Sequence, residues 1–314
     1  MSGVNGIHHL TAIAGSPQDN YDFYSKILGL KLVKKTINFD DPFTYHLYFG
    51  NDEGSPGTLI TFFPWGEQGL RGRRGNGQVT TISFSILPES IDFWQARLND
   101  LNVLFSGPFK RFDEEAILFE DPDGIELELI ASSDETRDGW TNSTIPKEHS
   151  IRGFFGVALS EENFLKTQNL LFTPLDFIKI NEIENRLRYE SGNGGPGTYV
   201  DILNLPNGFT GKMGIGAVHH VAWRVKDDEH QLELRNELVK AGANVTPVVD
   251  RKYFHSIYFR EPGNVLFEAA TDPPGFLVDE DEDHLGTELK LPSWHEKIRN
   301  EIEMKLPALN TIGE

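Results

Sequence analysis

Ala217-Val218-His219-His220-Val221-Ala222-Trp223 reads as a short strand carrying two adjacent histidines, because its β-branched and aromatic residues favour extended chain. A near copy, Ile7-His8-His9-Leu10-Thr11-Ala12, stands close to the N-terminus. Two further stretches share the apolar, β-prone character without histidine: Val79-Thr80-Thr81-Ile82-Ser83-Phe84 and Gly153-Phe154-Phe155-Gly156-Val157-Ala158. With positions 9, 81, 155 and 220 taken as equivalent, the spacings are 72, 74 and 65 residues. Recurrence of this kind marks one supersecondary unit used several times.

Each stretch is followed by a run with apolar residues three to four apart, the helical period. The four helical runs are residues 19–28, 89–101, 161–172 and 227–241, and Gly29 and Gly242 supply stop signals after the first and last. Three strand-like runs then complete each unit. They are 32–36, 44–49 and 58–63 in the first and 102–105, 116–120 and 125–130 in the second. In the third they are 177–180, 186–190 and 199–203, and in the fourth 243–248, 256–260 and 265–269. The expected fold class is therefore α+β, with four β-α-β-β-β modules at 5–65, 78–132, 150–205 and 216–271 and a tail at 272–314. Within the tail, the acidic run 279–283 reads as a solvated loop and residues 293–306 as a helix packed on the body.

Composition narrows the chemistry. With 29 basic against 48 acidic residues the formal charge is −19, which opposes non-specific nucleic-acid binding. The 22 phenylalanines point to an aromatic-rich core or cavity. The chain has no cysteine, which excludes disulfides and thiolate ligands and leaves histidine and carboxylate to hold a metal. Residues 1–5 lack the basic and apolar segments of a signal peptide, and no apolar run reaches the roughly 18 residues of a membrane span. A cytoplasmic enzyme without nucleic-acid or membrane partners, assembled as a homo-oligomer, is the expectation.

Four such modules resemble the vicinal oxygen chelate superfamily, which includes glyoxalase I, extradiol ring-cleaving dioxygenases and bleomycin-resistance proteins. The resemblance implies that modules pair so that curved sheets enclose cavities. Side chains alternate across a strand, so one histidine of each pair points inward. If His9 does, so does Thr11, and by the same alignment so does His220, leaving His8 and His219 facing away as supports. Glu268 interrupts the apolar run Val265-Leu266-Phe267-Glu268-Ala269 on the last strand of module four, which the family places near the first. Two histidines and one carboxylate form a facial set for non-haem Fe(II), and Mn(II) would accept the same donors. Among the pairings considered, only modules one and four supply both histidines, as His9, His220 and Glu268; modules two and three then pair with each other around a metal-free cavity. Glu128, at the matching place in module two, reads as a structural or surface residue.

Further motifs carry a narrower resemblance: Ile7-His8-His9-Leu10-Thr11, Tyr45-His46-Leu47-Tyr48-Phe49, Gly57-Thr58, Phe62-Phe63-Pro64, Arg251-Lys252-Tyr253-Phe254 before Tyr258, and Phe267-Glu268-Ala269. Together they are similar to hydroquinone-type ring-cleaving dioxygenases. That resemblance implies an oxidoreductase that binds a small aromatic diol and O2 at Fe(II) and opens the ring, with Tyr258, His255 and Thr11 steering protons. His46 is expected to line the cavity or pack, and His230, His284 and His295 to lie at the surface. Lys252 runs directly into Tyr253, where family members acting on chlorinated hydroquinones carry extra residues, so that specificity does not carry over. Two other classes compete. A glyoxalase-like isomerase or lyase would want a carboxylate where module one offers Thr61 or Phe62, and a drug-sequestering binding protein would not need a complete ligand set.

Overall fold

In the computed structural model, which describes residues 3–66, 68–141 and 144–311, the four repeated stretches become the four central strands of two eight-stranded, half-barrel sheets. The first module supplies β1 (Ile7–Ala14), β2 (Lys31–Asn38), β3 (Asp41–Gly50) and β4 (Leu59–Pro64). The second supplies β5 (Gln78–Ile86), β6 (Phe105–Arg111), β7 (Glu114–Glu120) and β8 (Glu126–Ala131). The third gives β9 (Phe154–Glu161), β10 (Ile178–Ile183), β11 (Arg186–Glu190) and β12 (Tyr199–Asn204). The fourth gives β13 (Ala217–Val225), β14 (Val249–Asp250), β15 (Phe254–Arg260) and β16 (Leu266–Pro274).

One sheet runs β14-β15-β16-β13-β1-β4-β3-β2 and the other β10-β11-β12-β9-β5-β8-β7-β6. The first sheet thus combines the N-terminal and C-terminal modules through the antiparallel β1–β13 ladder, and the second combines the middle two through β5–β9. The segments linking the sheets run side by side, bridged at Arg71–Ile215, Arg73–Lys212 and Asn76–Thr210. Aromatics fill the core, with Tyr24, Phe49, Phe62, Phe84, Trp94, Phe154, Trp223 and Phe267 buried, each contributing about 2–3 kcal/mol through burial.

Helices cover the outer faces. The first begins as α1 (Pro17–Tyr21), capped by Ser16, and continues as a π-helical turn over Asp22–Ile27, shorter in regular α-helix than its periodicity predicts. The second and third are α2 (Ile91–Asp100) and α3 (Leu165–Phe172). The fourth, α4 (Asp228–Lys240), is capped by Asp227 and followed by Gly242 at φ +89°. It buries Gln231, Leu234 and Leu238 while Leu232 and Val239 are exposed. Gln231 Nε2 donates to the carbonyls of His255 and Ala269, both at 2.8 Å, fastening α4 to β15 and β16.

Three local expectations change. The run 243–248 is not a strand. Thr246 still pairs with Tyr258, but Pro247 has no N–H for a ladder, and strand geometry resumes only at Val249. The second-module strand starts at Phe105 instead of residue 102, because Asn102 adopts a left-handed turn at φ +57°. In the tail, the helix expected over 293–306 shortens to α5 (Arg299–Lys305), preceded by a 3₁₀ turn at Glu296–Ile298.

The acidic run is not wholly solvated either. Asp279 and Glu280 both pair with the buried ammonium of Lys34 on β2, Asp279 Oδ1 at 2.7 Å. Asp279 also takes Lys252 Nζ at 2.5 Å and Tyr253 Oη at 3.1 Å, from the segment between β14 and β15. Further along, Leu289 bridges Lys35 and the Lys290 carbonyl accepts from Thr36 Oγ1. The tail therefore joins the two opposite edge regions of the first sheet, closing across the gap that an open half-barrel leaves. Its last three residues, 312–314, lie outside the described residues.

Candidate metal centre

The β1–β13 ladder slips at two places. Ile7 pairs with Trp223 but His9 with Ala222, and Thr11 pairs with His220 but Ala12 with Val218. His8 and His219 are the extra residues, so each histidine pair contains a β-bulge. A bulge re-aims side chains that strict alternation would send to opposite faces. The expectation that His219 faces away is corrected accordingly. His8 Nδ1 lies 2.9 Å from His9 Nδ1, His219 Nδ1 lies 2.8 Å from His220 Nδ1, and His219 lines the same cavity as His220. Their role as supports for the neighbouring rings stands on those contacts: a hydrogen bond at Nδ1 fixes the ring and leaves Nε2 for a metal.

The same geometry corrects the alignment of the third repeat. In the β5–β9 ladder the extra residues are Thr80 and Phe155, so the counterpart of His219-His220 is Phe155-Gly156, not Phe154-Phe155.

Three donors converge. His220 Nε2 lies 3.3 Å from His9 Nε2 and 2.9 Å from Glu268 Oε2, and His9 Nε2 lies 3.5 Å from Glu268 Oε2. Donor atoms about 2.1 Å from one ion and at right angles to each other stand roughly 3 Å apart, so these spacings suit one ion. Glu268 sits on β16 beside β13, with Ala222 opposite it, and is fully buried. Its Oε1 accepts from Ser256 Oγ. Its Oε2 has no hydrogen-bond partner despite the nearby rings, which is the state of a lone pair aimed at a shared centre instead of at a proton. The donor set His9, His220 and Glu268 thus fits a divalent ion and leaves one side open.

That side opens into a cavity of about 380 Å³, within the range of small-molecule sites. Its wall includes Thr11, His46, Tyr48, Phe63, Arg251 and Tyr258. Tyr258 accepts from Arg251 Nε at 3.0 Å, and Arg251 reaches Asp40 at 3.1 Å, across the mouth. Burial, aided by the Glu268 charge and only partly offset by Arg251, pushes the Tyr258 phenol well above its usual range, so it remains a proton donor. Burial lowers His220, with Glu268 opposing, and lowers His219 to about 3. Burial acts to raise Glu268, but the adjacent His9 and His220 outweigh it and hold the carboxyl well below its ordinary range.

His255 is not brought to the site. Ser256 and Tyr258 share the face of β15 that meets Glu268, so His255 points to the opposite face, where its Nδ1 lies 2.6 Å from Asp228 of α4. Once Tyr258 is placed inward, a residue three positions earlier on the same strand belongs outside. Arg251 and Ser256 are the residues that sequence reasoning missed. Two-residue periodicity from Tyr258 marks Ser256, while Arg251 lies beyond the regular strand and carries no such signal. Of the remaining histidines, His284 is exposed, whereas His230 bonds the Gly3 carbonyl at 2.8 Å and His295 that of Phe39 at 3.3 Å.

In the second sheet, the carboxylates at matching positions meet arginines. Glu128 is buried against Arg111 and accepts from Ser83 at 2.8 Å, a structural role. Asp201 accepts from Arg188 Nε at 2.8 Å and from Arg186 at 2.7 Å. Among the described residues, His9, His220 and Glu268 form the one group of three or more such donors close enough to share an ion, and no helix is long and apolar enough to cross a membrane.

Comparison with known proteins agrees with this architecture. The family model for the Glyoxalase/Bleomycin resistance protein/Dioxygenase superfamily matches residues 6–129. MhqO of Bacillus subtilis (strain 168), named as a ring-cleaving dioxygenase, is 46% identical over 302 residues, covering 96% of this chain and 95% of its own. The chlorohydroquinone/hydroquinone 1,2-dioxygenase of Sphingobium indicum is 36% identical over 309 residues, covering 95% of each. A crystal structure described as that of a dioxygenase from Bacillus subtilis subsp. subtilis str. 168 superposes with a TM-score of 0.94 at 44% identity, covering 98% of both chains. With its paired β-α-β-β-β modules and these full-length relatives, the chain belongs to the glyoxalase/bleomycin resistance protein/dioxygenase superfamily.

Proposed function

We propose that this protein is a metal-dependent, extradiol-type ring-cleaving dioxygenase that opens a hydroquinone-type aromatic diol with O2, with Fe(II) as the working ion and Mn(II) as the alternative. The observation that carries the proposal is the convergence of His9, His220 and Glu268 on one buried point whose free side faces an aromatic-walled cavity. Full-length similarity to proteins named for this chemistry supports it. The ion would orient diol and oxygen side by side and conduct electrons between them.

The chain's own groups do the rest. Tyr258 Oη, already accepting from Arg251 Nε, keeps its proton to donate to a substrate oxygen. Thr11 Oγ1 lies two residues from His9 on β1 and lines the cavity, where it can donate to an oxygen beside the ion. Arg251 and Asp40 hold the mouth, and Phe63, Phe254 and Leu266 exclude water around the ring. A glyoxalase-like reaction is disfavoured, because the module-one position opposite Thr11 is Thr61, a hydroxyl, not a carboxylate.

The test is anaerobic reconstitution with Fe(II) or Mn(II), followed by oxygen uptake with hydroquinone, methylhydroquinone and catechol. Uptake with a para-diol, and its loss together with bound metal in His9→Ala, is expected. No uptake with any ring diol overturns the reading.

A further inference from the structure

Four side chains on neighbouring strands of the first sheet form one unbroken hydrogen-bonded line. Tyr48 Oη lies 2.9 Å from His46 Nδ1. His46 Nε2 lies 2.8 Å from Thr61 Oγ1, and Thr61 Oγ1 lies 2.8 Å from Thr11 Oγ1. Register explains the line: Thr11 stands opposite His220 on one side and Thr61 on the other, and Thr61 stands opposite Tyr48. His46 lies two residues from Tyr48 on the same face of β3. Both ends, Thr11 and Tyr48, border the cavity. One end is thus beside the metal ligands. The other is two strands away, roughly 10 Å at the usual strand spacing.

We propose that Tyr48, His46, Thr61 and Thr11 form a proton wire that carries the proton of the substrate's distal hydroxyl, at the Tyr48 end, to an oxygen atom of the co-substrate at the Thr11 end. The proposal rests on the dioxygenase reading above and deepens it by assigning a path for the proton of the para-diol's distal hydroxyl. A para-diol held at the metal by one oxygen directs the other across the ring, toward the far wall. An ortho-diol keeps both oxygens at the metal end and has no use for the wire.

The transfer balances. The substrate hydroxyl gives its proton to Tyr48 Oη, and Tyr48 passes its own to His46 Nδ1. His46 releases the proton on Nε2 to Thr61 Oγ1, Thr61 releases one to Thr11 Oγ1, and Thr11 releases one to the acceptor oxygen. Every member gains one proton and loses one, so the wire stays uncharged and His46 ends as its other tautomer. The electron pair of the broken O–H bond stays on the substrate oxygen, and the reducing electrons for O2 come from the diol itself.

The surroundings suit a neutral wire. Burial pushes His46 well below its usual range and Tyr48 well above its own. The His46 ring is held between Tyr48 and Phe63, with ring centroids at 4.1 and 4.4 Å, which fixes its orientation in the line.

The test uses the metal-loaded full chain with hydroquinone and O2, comparing wild type with Thr61→Val, His46→Gln and Tyr48→Phe. Thr61→Val keeps the side-chain shape and removes only the hydroxyl, and Gln can hydrogen-bond but cannot exchange tautomers. The expected result is a kcat about 100-fold lower in each variant, the size of a general acid–base contribution, with KM for hydroquinone nearly unchanged in Thr61→Val and His46→Gln. The wild-type solvent deuterium effect should show the curvature of several protons in flight, and each variant should lose it. In metal-free, ¹⁵N-histidine-labelled protein, Tyr48→Phe should move chiefly the His46 Nδ1 resonance and Thr61→Val chiefly the Nε2 resonance. Wild-type kcat in the variants, a raised KM with kcat intact, or ring resonances that do not move would each overturn the wire while leaving the dioxygenase reading in place. Absence of oxygen uptake by wild type with every ring diol overturns both.

Discussion

Glu161 ends β9 in the second sheet and faces Glu261, which sits in the turn between β15 and β16 of the first. Glu261 is well supplied: Thr167 Oγ1 donates to it, as do the backbone N–H groups of Gly263 and Val265, both at 2.7 Å. Glu161 is 1% exposed and neither of its oxygens has a hydrogen-bond partner. Burial, reinforced by the Glu261 charge, raises its carboxyl from 4.5 to about 8. Packing leaves it no escape, since a Cβ on Gly263 would come within 2.7 Å of its carboxyl carbon.

A raised folded-state pKa means that the native protein binds this proton more tightly than the unfolded chain. The resulting stabilisation is complete below the unfolded value near 4.5 and disappears as pH rises through about 8. Glu261 is raised by burial as well, so the two carboxyls together lower native stability as pH rises from 6 to 8, by on the order of 1 kcal/mol per pH unit. That is a substantial part of the 5–15 kcal/mol typical of a folded domain. Glu161→Gln removes the titration and keeps the shape. Urea unfolding at pH 6, 7 and 8 should show wild-type stability falling relative to the variant by about that amount. Stability curves for the two proteins that stay parallel across this interval would refute the buried-proton argument.

Other substitutions separate the site from its surroundings. Ser256→Ala removes the donor to Glu268 Oε1 and should weaken metal binding about 10–100-fold in chelator competition, without loss of fold. His255→Asn lies on the opposite face, against α4, and should leave kcat and KM for the diol at wild-type values in the oxygen-uptake assay. Lys34→Met strands Glu280 without its buried cation and leaves Asp279 with Lys252 alone. It should cost about 3–5 kcal/mol in chemical unfolding and expose the tail to limited proteolysis near Phe276.

The repeat and the candidate donor residues were legible because both write themselves into local pattern. Four apolar stretches with helical runs behind them determine the module, and two histidine pairs with one glutamate in an apolar strand determine the donors. His219 and His255 were misplaced, for two different reasons. A bulge is a property of a pair of strands, created when one ladder slips against another, so no single strand announces that His8 and His219 sit beside their neighbours. His255 violates no such rule; the period of two already excluded it once Tyr258 faced inward. The acidic run misled in a third way. Charge density predicts solvation, yet Asp279 and Glu280 meet a lysine some 245 residues earlier, a pairing invisible to any local window.

The two half-barrels show what converts a shared scaffold into a site. Both have the paired bulges, and both place a carboxylate on the strand beside the third or fourth module's first strand: Asp201 opposite Ala158, Glu268 opposite Ala222. In the second sheet Arg188 stands opposite Asp201, where Tyr258 stands opposite Glu268 in the first. A guanidinium satisfies a buried carboxylate with rigid, matched hydrogen bonds and leaves no lone pair for an ion. Arg188 also packs over Phe112, Phe155 and Tyr199, so it occupies space as well as neutralising charge. In the first sheet the carboxylate has only Ser256 on one oxygen, and its other oxygen faces the two imidazoles. A positive centre shared by that oxygen and the two Nε2 atoms would complete the group. Glu268 is therefore left available to a metal by what the sequence omits around it, and a Tyr258→Arg substitution would be expected to replace the candidate metal centre with a salt bridge, with loss of bound metal and retention of the fold as the measurable outcome.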